Sequence, residues 1–383
     1  MVVTCLVATR NTWEGLPLGR ALYVQLVQSF NHYDADWYTG IARLGYSEPK
    51  STAFFPLYPM LMKAVASVLN ISALAAGVLV SNVAFFLLLY FFLKLAREDY
   101  DWKCAFRATL LLALYPTSFY FSAPYAEAVF MLFSVLALQA MRRERWLGAG
   151  AAGGLAGLTR NAGVLLGLPY LIEFWQSSRK RKSDRRVRAG APPARDSGAG
   201  NSRTVRLRSL LWVALIGLGA ALYMGYLWVR FGDPLSFAHV QALFDRRYVL
   251  PWTTLYRGFA HGWEFLARLH WPLDDTQIYH LTELIFPVLV LVVLVASFRK
   301  LRPSYWVMIL YSFLVPLAAP LAATPAASDY FMSFSRYSLV IVPLYFGLVR
   351  LLRRRWLFWP YLILSALLLV VLTYMWASGA WVA

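Results

Sequence analysis

Residues 31–61, NHYDADWYTGIARLGYSEPKSTAFFPLYPML, crowd carboxylates, aromatics and prolines into a stretch that does not read as a membrane span. Asp34 and Asp36 stand two apart, flanked by Tyr33, Trp37 and Tyr38, and FFPLYP follows, with Pro56 and Pro59 interrupting an apolar run. Ionisable groups are costly in so apolar a chain and mark functional positions by default. The stretch is therefore read as holding the working carboxylate, with the remaining helices built around it.

Of the 383 residues, 60% are hydrophobic and 15% charged, with a mean hydropathy of +0.53. Soluble domains carry about 25% charged residues. The chain thus reads as an all-α polytopic membrane protein, because helices satisfy their own backbone in lipid. Its length accommodates a bundle of roughly 10–11 spans of about 20 residues each. Candidate spans run near 73–95, 104–121, 124–141, 146–159, 161–176, 209–231, 281–298, 304–323, 337–352 and 356–378, and the pairs around Pro124 and Arg160 read as hairpins dipping from one side. The N-terminal segment 1–30 joins a run too short to span, VVTCLVA, to Arg10, Glu14 and Arg20. It is expected to be the remnant of a first span beginning upstream, with an interfacial segment as the alternative.

The formal net charge is +18. Its distribution argues against nucleic acid as a partner: residues 177–208 hold eleven Lys/Arg against two Asp, half of the excess. The rest lies in short sets beside spans: Lys94, Arg97, Lys103 and Arg107; Arg142, Arg143 and Arg145; Arg299, Lys300 and Arg302; Arg350 with Arg353, Arg354 and Arg355. Successive sets are two crossings apart, so all can face the cytoplasm. The division expected is 31–176 (first outer loop, juxtamembrane FFPLYP helix and N-terminal spans), a disordered basic linker 177–208 close to membrane lipids, and 209–383 with an outer loop 232–280. Cys5 and Cys104 make no disulfide framework. No metal motif is present, and adjacent Asp274 and Asp275 read as a solvated loop pair.

Six motifs fall on the outer face: DADWYTGIARLGY (34–46), AFFPLYP (53–59), SAPYAEAVF (122–130), LTRNAG (158–163), FGDPLSFAHVQ (231–241) and SRYSLVIVPLY (335–345). In this order they resemble the family of GPI mannosyltransferase 2 (PIG-V) and its bacterial-type relatives, within the GT-C class of integral-membrane glycosyltransferases. The resemblance spans about residues 31–350. The fourth motif reads Arg160-Asn161-Ala162-Gly163, a slight departure from the family pattern.

The resemblance implies a GT-C-like bundle and an inverting sugar transfer, most simply of mannose. The donor would be a polyprenyl-phosphate sugar and the acceptor a lipid- or surface-linked glycan. It implies Asp34 as general base, a task that suits a carboxylate near a low-dielectric surface; the alternative is that Asp34 caps a helix beginning near Trp37. Asp36, Trp37 and Tyr38 are candidates for sugar contact, and Glu127 for orienting substrate. Arg160 and Arg336 are candidates for the donor phosphate, for which a planar guanidinium is suited, and their neighbours Asn161 and Tyr337 for substrate or donor binding; headgroup snorkelling is the alternative for both arginines. No cofactor and no essential metal are expected. A bacterial plasma membrane is favoured, or the endoplasmic reticulum membrane in a eukaryote. A membrane transporter or lipid flippase is the rival reading, but transporters place charges near mid-membrane in related halves, whereas here they gather at one face.

Overall fold

The computed structural model describes residues 17–189, 209–321 and 329–382. The run containing Cys5 and the Gly/Pro-rich part of the linker, 190–208, lie outside the described residues. Among the described residues the chain is helical, without extended sheet. In order come α1 (Leu18–Leu26), α2 (Asp34–Leu44), α3 (Leu57–Leu69), α4 (Ala73–Asp99), α5 (Trp102–Ala113), α6 (Glu127–Arg142), α7 (Trp146–Thr159) and α8 (Gly167–Ala189). The second half holds α9 (Ala214–Phe231), α10 (Ser236–His239), α11 (Pro251–Ala267), α12 (Asp275–Ala296), α13 (Pro303–Leu317), α14 (Phe334–Leu339), α15 (Leu344–Leu351) and α16 (Arg355–Ala377).

Every candidate span contains helix, and the chain is a multi-pass membrane protein. Among the described residues four segments are long and apolar enough to cross a bilayer: Ala73–Asp99, Ser209–Phe231, Asp275–Ala296 and Arg355–Ala377. Apart from α8, with 23 residues, the helices between them are shorter, with breaks at Pro124, Arg160 and Pro343. α3, with 13 residues, is about 20 Å long, too short to cross. Its prolines cause no break, because Pro56 precedes the helix and Pro59 lies in the first turn, where no backbone N–H is needed. The expected linker is corrected at its start: α8 continues to Ala189. Lys and Arg are good helix formers, and the pattern breaks only at Gly190, Pro192 and Pro193. Asp274 and Asp275 are both exposed, and Asp274 has a further role. It closes a capping box on α12, accepting from Gln277 N at 2.7 Å while Gln277 Oε1 accepts from Asp274 N at 3.2 Å.

The basic sets meet at one end of the bundle. Arg142 pairs with Asp99 at 2.5 Å, and Arg302 forks onto Glu173 at 3.0 and 2.9 Å. Arg107 donates to the Arg353 carbonyl at 3.1 Å, and Arg350 to that of Lys300. α6 carries Arg142 at this end and Glu127 at the other. α7 and α9 approach closely through Gly150, Gly153, Gly154 and Gly219; a Cβ on Gly219 would strike the Gly154 carbonyl. Such small-residue contacts are how helices approach in lipid.

Candidate active site

The six motifs are separated by up to three hundred residues of chain, yet they form one hydrogen-bonded network at the end opposite the basic sets. The Tyr46 hydroxyl donates to the Phe54 carbonyl at 2.7 Å, joining the first motif to the second. The buried Tyr58 hydroxyl reaches Ser81 at 2.7 Å, and Ser81 donates to the Tyr125 carbonyl at 3.3 Å, joining the second to the third. Ser236 of the FGDPLS motif meets Thr52 at 2.9 Å. Gly163 is required by packing: a Cβ there would collide with backbone at Ala156 and Gly157. That contact sets the chain direction immediately after Arg160.

Four charges lie at the centre. Arg336 donates through Nη2 to Asp34 Oδ2 at 2.5 Å and through Nε to Glu127 Oε1 at 2.6 Å. Arg160 donates to the same Glu127 oxygen at 2.6 Å. Glu127 is 0% exposed, whereas the Asp34 side chain is 25% exposed. The two acids and two guanidiniums balance formally. Glu127 therefore neutralises the arginines from beneath, and its Oε2 finds no hydrogen-bond partner among the described residues.

Asp34 opens α2, where the positive end of the helix favours an acid. The preceding Tyr33 sits at φ 55°, a backbone conformation uncommon outside glycine. It is held there by its hydroxyl bond to the Gly379 carbonyl at 2.8 Å and by the Trp381 ring 4.4 Å away. On the far side of Arg336, Ser333 is also at positive φ, and α14 starts directly after it. The buried Glu283 accepts from Phe334 N (2.6 Å), Ser335 N (3.2 Å) and Ser335 Oγ (2.5 Å), fixing the two residues before Arg336.

These groups face a cavity of about 600 Å³ whose lining includes Asp34, Trp37, Tyr38, Arg160, Asn161, Arg336 and Tyr337. The sequence candidates are thus brought together, with two qualifications of role. Asp36 does not line the cavity; it is exposed and bound to Asn31 at 2.5 Å. Glu127 lies behind the arginines rather than facing substrate. Trp37 has one ring face against Phe54, at 5.7 Å and 15° between planes, and Tyr38 is buried between Phe54 and Tyr58. The loop 232–280 supplies Phe237, Gln241, Phe244, Arg246 and Tyr248 to the wall. Among the described residues no group of three or more His, Cys, Asp or Glu is placed to hold a metal ion.

Residues 20–166 match a family model described as mannosyltransferase (PIG-V). GPI mannosyltransferase 2 of Drosophila pseudoobscura pseudoobscura is 32% identical over 136 residues, which is 32% of this chain and 30% of that protein. The N-terminal part of the chain is PIG-V-like. The matched stretch contains Asp34, Glu127 and Arg160; Arg336 lies beyond it and joins them through the fold. The chain also has a distant likeness to solved structures. ArnT from Cupriavidus metallidurans bound to undecaprenyl phosphate gives 14% identity and a TM-score of 0.42 over 99% of this chain and 77% of that one. The apo oligosaccharyltransferase of Archaeoglobus fulgidus gives 16% and 0.42 over 99% and 55%. At those scores neither likeness bears on the site.

Arg246 and Glu283 escaped the sequence reading. Arg246 sits in an aperiodic run, FDRRYVL (244–250), and could have been found only as a cation in the outer loop 232–280. An acid inside the apolar stretch 281–298 was a visible signal for Glu283.

Proposed function

We propose that this protein is a membrane glycosyltransferase of mannosyltransferase type, moving a sugar from a polyprenyl-phosphate carrier to a lipid- or surface-linked glycan acceptor. The observation that carries this reading is Asp34, Arg336 and Arg160 on the wall of a large cavity at one end of the bundle, with Glu127 buried behind the two arginines.

The chemistry is a single displacement with inversion. The acceptor oxygen bonds to the anomeric carbon as the bond from that carbon to the phosphate oxygen breaks, and the acceptor proton passes to Asp34. Arg336 holds Asp34 Oδ2, so Oδ1 is the oxygen that takes the proton. Negative charge grows on the departing phosphate, and guanidiniums already placed stabilise it without reorganising at the moment of reaction. Because Arg336 touches both acids, a phosphate that draws its Nη2 away removes a positive charge from Asp34 and leaves Oδ1 a stronger base. Glu127 keeps two arginines side by side in a low-dielectric setting. Trp37 and Asn161 also line the wall, and the proposal gives them contact with the sugar.

The test is transfer of radiolabel from polyprenyl-phosphate mannose in membranes containing wild type or Asp34→Asn. Labelled product that falls at least a hundredfold with Asp34→Asn at equal expression supports the reading. Equal labelling in both removes Asp34 from the mechanism.

A further inference from the structure

The cavity wall contains a cation that the central cluster does not balance. Asp34 and Glu127 offset Arg160 and Arg336, and Arg246 remains. Among the described residues no carboxylate ion-pairs with Arg246; its guanidinium donates through Nη1 to the Ala319 carbonyl at 3.1 Å. The Tyr337 ring has Arg160 on it at 5.7 Å and Arg246 at 6.0 Å. Two guanidiniums share one aromatic ring, and one of them has no counter-charge. An unpaired charge in a partly desolvated site is costly, and a bound anion removes that cost.

Arg246 is also held in place. Residues 246–249 run antiparallel to 318–321, with Arg247 N bonded to the Pro320 carbonyl at 3.3 Å, Val249 N to the Ala318 carbonyl at 2.9 Å, and a bridge pairing Arg246 with Leu321. One N–H of the fork goes to Ala319, which orients the plane and leaves the other donors for a ligand. The adjoining wall is apolar: Met308, Val315 and Pro316 of α13, with Leu165 and Val340. A fixed, uncompensated guanidinium at the edge of an apolar surface matches an amphiphile with an anionic head.

From this we infer that Arg246 is the principal anion-binding residue of the cavity and takes the phosphate of a lipid phosphate monoester or diester, with the lipid chain along α13. This rests on the donor reading above and names the residue that recognises it. Arg160 and Arg336, tied to Glu127, are then chiefly groups that stabilise the leaving phosphate, while Arg246 sets affinity for the carrier.

The experiment is equilibrium binding of radiolabelled undecaprenyl phosphate to the purified full chain in detergent, competed by unlabelled undecaprenyl phosphate or by undecaprenol. Wild type, Arg246→Ala, Arg246→Gln and Arg246→Lys are compared, with Arg247→Ala as the neighbouring control. Gln keeps a donor for the Ala319 carbonyl, so a loss shared by Ala and Gln at unchanged thermal midpoint reports the missing charge rather than misfolding. The expected result is at least tenfold weaker binding with Ala and Gln, partial recovery with Lys, and no change with Arg247→Ala or in competition by undecaprenol. Wild-type affinity retained in Arg246→Ala, with the phosphate still preferred to the alcohol, overturns the assignment and leaves the donor reading standing. No preference for phosphate over alcohol in wild type overturns both.

Discussion

Removing Glu127 tests the electrostatic account of the site most directly. Its carboxylate is 0% exposed and accepts from two guanidiniums, each at 2.6 Å. Glu127→Ala leaves Arg160 and Arg336 adjacent, partly buried and short of one negative charge. Breaking a buried pair by deleting one partner costs about 3–5 kcal/mol, because the surviving charge is left unpaired. Glu127→Gln keeps a carbonyl oxygen for the arginines but makes charge-assisted bonds neutral, and hydrogen bonds to charged groups contribute roughly 1.5–3 kcal/mol. The loss is then expected in the order Ala greater than Gln. The same reasoning makes the penalty reversible: in Glu127→Ala/Arg160→Ala one orphaned cation is gone, so the double variant should be more stable than Glu127→Ala. Thermal midpoints in detergent, read by the fraction surviving size-exclusion chromatography, rank the variants, and a double-mutant cycle gives the coupling. A double variant as unstable as the two single losses added together would refute the argument. It would mean that Glu127 fills space at the start of α6 rather than neutralising the arginines.

Three further outcomes follow from the geometry. Asp36→Asn should leave sugar transfer within about twofold of wild type, since surface substitutions away from special features change little; a loss matching that of Asp34→Asn would show that Asp36 acts in the site despite pointing away. Gly219→Ala should destabilise the protein by about 1–3 kcal/mol, the usual cost of overpacking, with unchanged donor KM in whatever protein remains folded; an unshifted thermal midpoint would show that α7 and α9 can separate without cost. Glu283→Ala, which removes the acceptor for Phe334 N, Ser335 N and Ser335 Oγ, should lower kcat at least tenfold with donor KM little changed, and Glu283→Gln should restore most of it. Equal loss with Gln would point to the charge rather than to placement of Arg336.

How much of this was legible in the sequence depends on the distance over which each feature is decided. The helices follow from local patterns of apolar residues, prolines and caps, so every candidate span contains one, although breaks at Pro124 and Pro343 leave several shorter than the hydropathy suggested. Asp34 and Asp36 looked equivalent because both sit beside aromatics. Yet α2 starts at Asp34, and at about 100° per residue two positions apart point to nearly opposite sides. Only one acid of such a pair can enter a cavity, and the register that selects Asp34 comes from Tyr33, pinned by Gly379 and Trp381 at the far end of the chain.

Glu127 and Arg246 illustrate the same limit from two sides. Glu127 was recognisable as an expensive charge at the head of an apolar helix, but its position behind the arginines depends on Arg336, more than two hundred residues away. Arg246 carried no signal beyond being a cation in the outer loop, because its placement is written in the backbone pairing of 246–249 with 318–321 and not in its neighbours. Local sequence thus identified residues whose cost in lipid demands a reason. Which of them touch the cavity, and which only hold others there, is decided by contacts that no short stretch contains. In a membrane protein that division has a physical basis: cations side by side at a cavity cost less when an opposite charge lies behind them, as Glu127 lies behind Arg160 and Arg336, so reactive groups and their buried partners arise as sets drawn from different helices, and a cation without such a partner, Arg246, is left for the anion of a ligand.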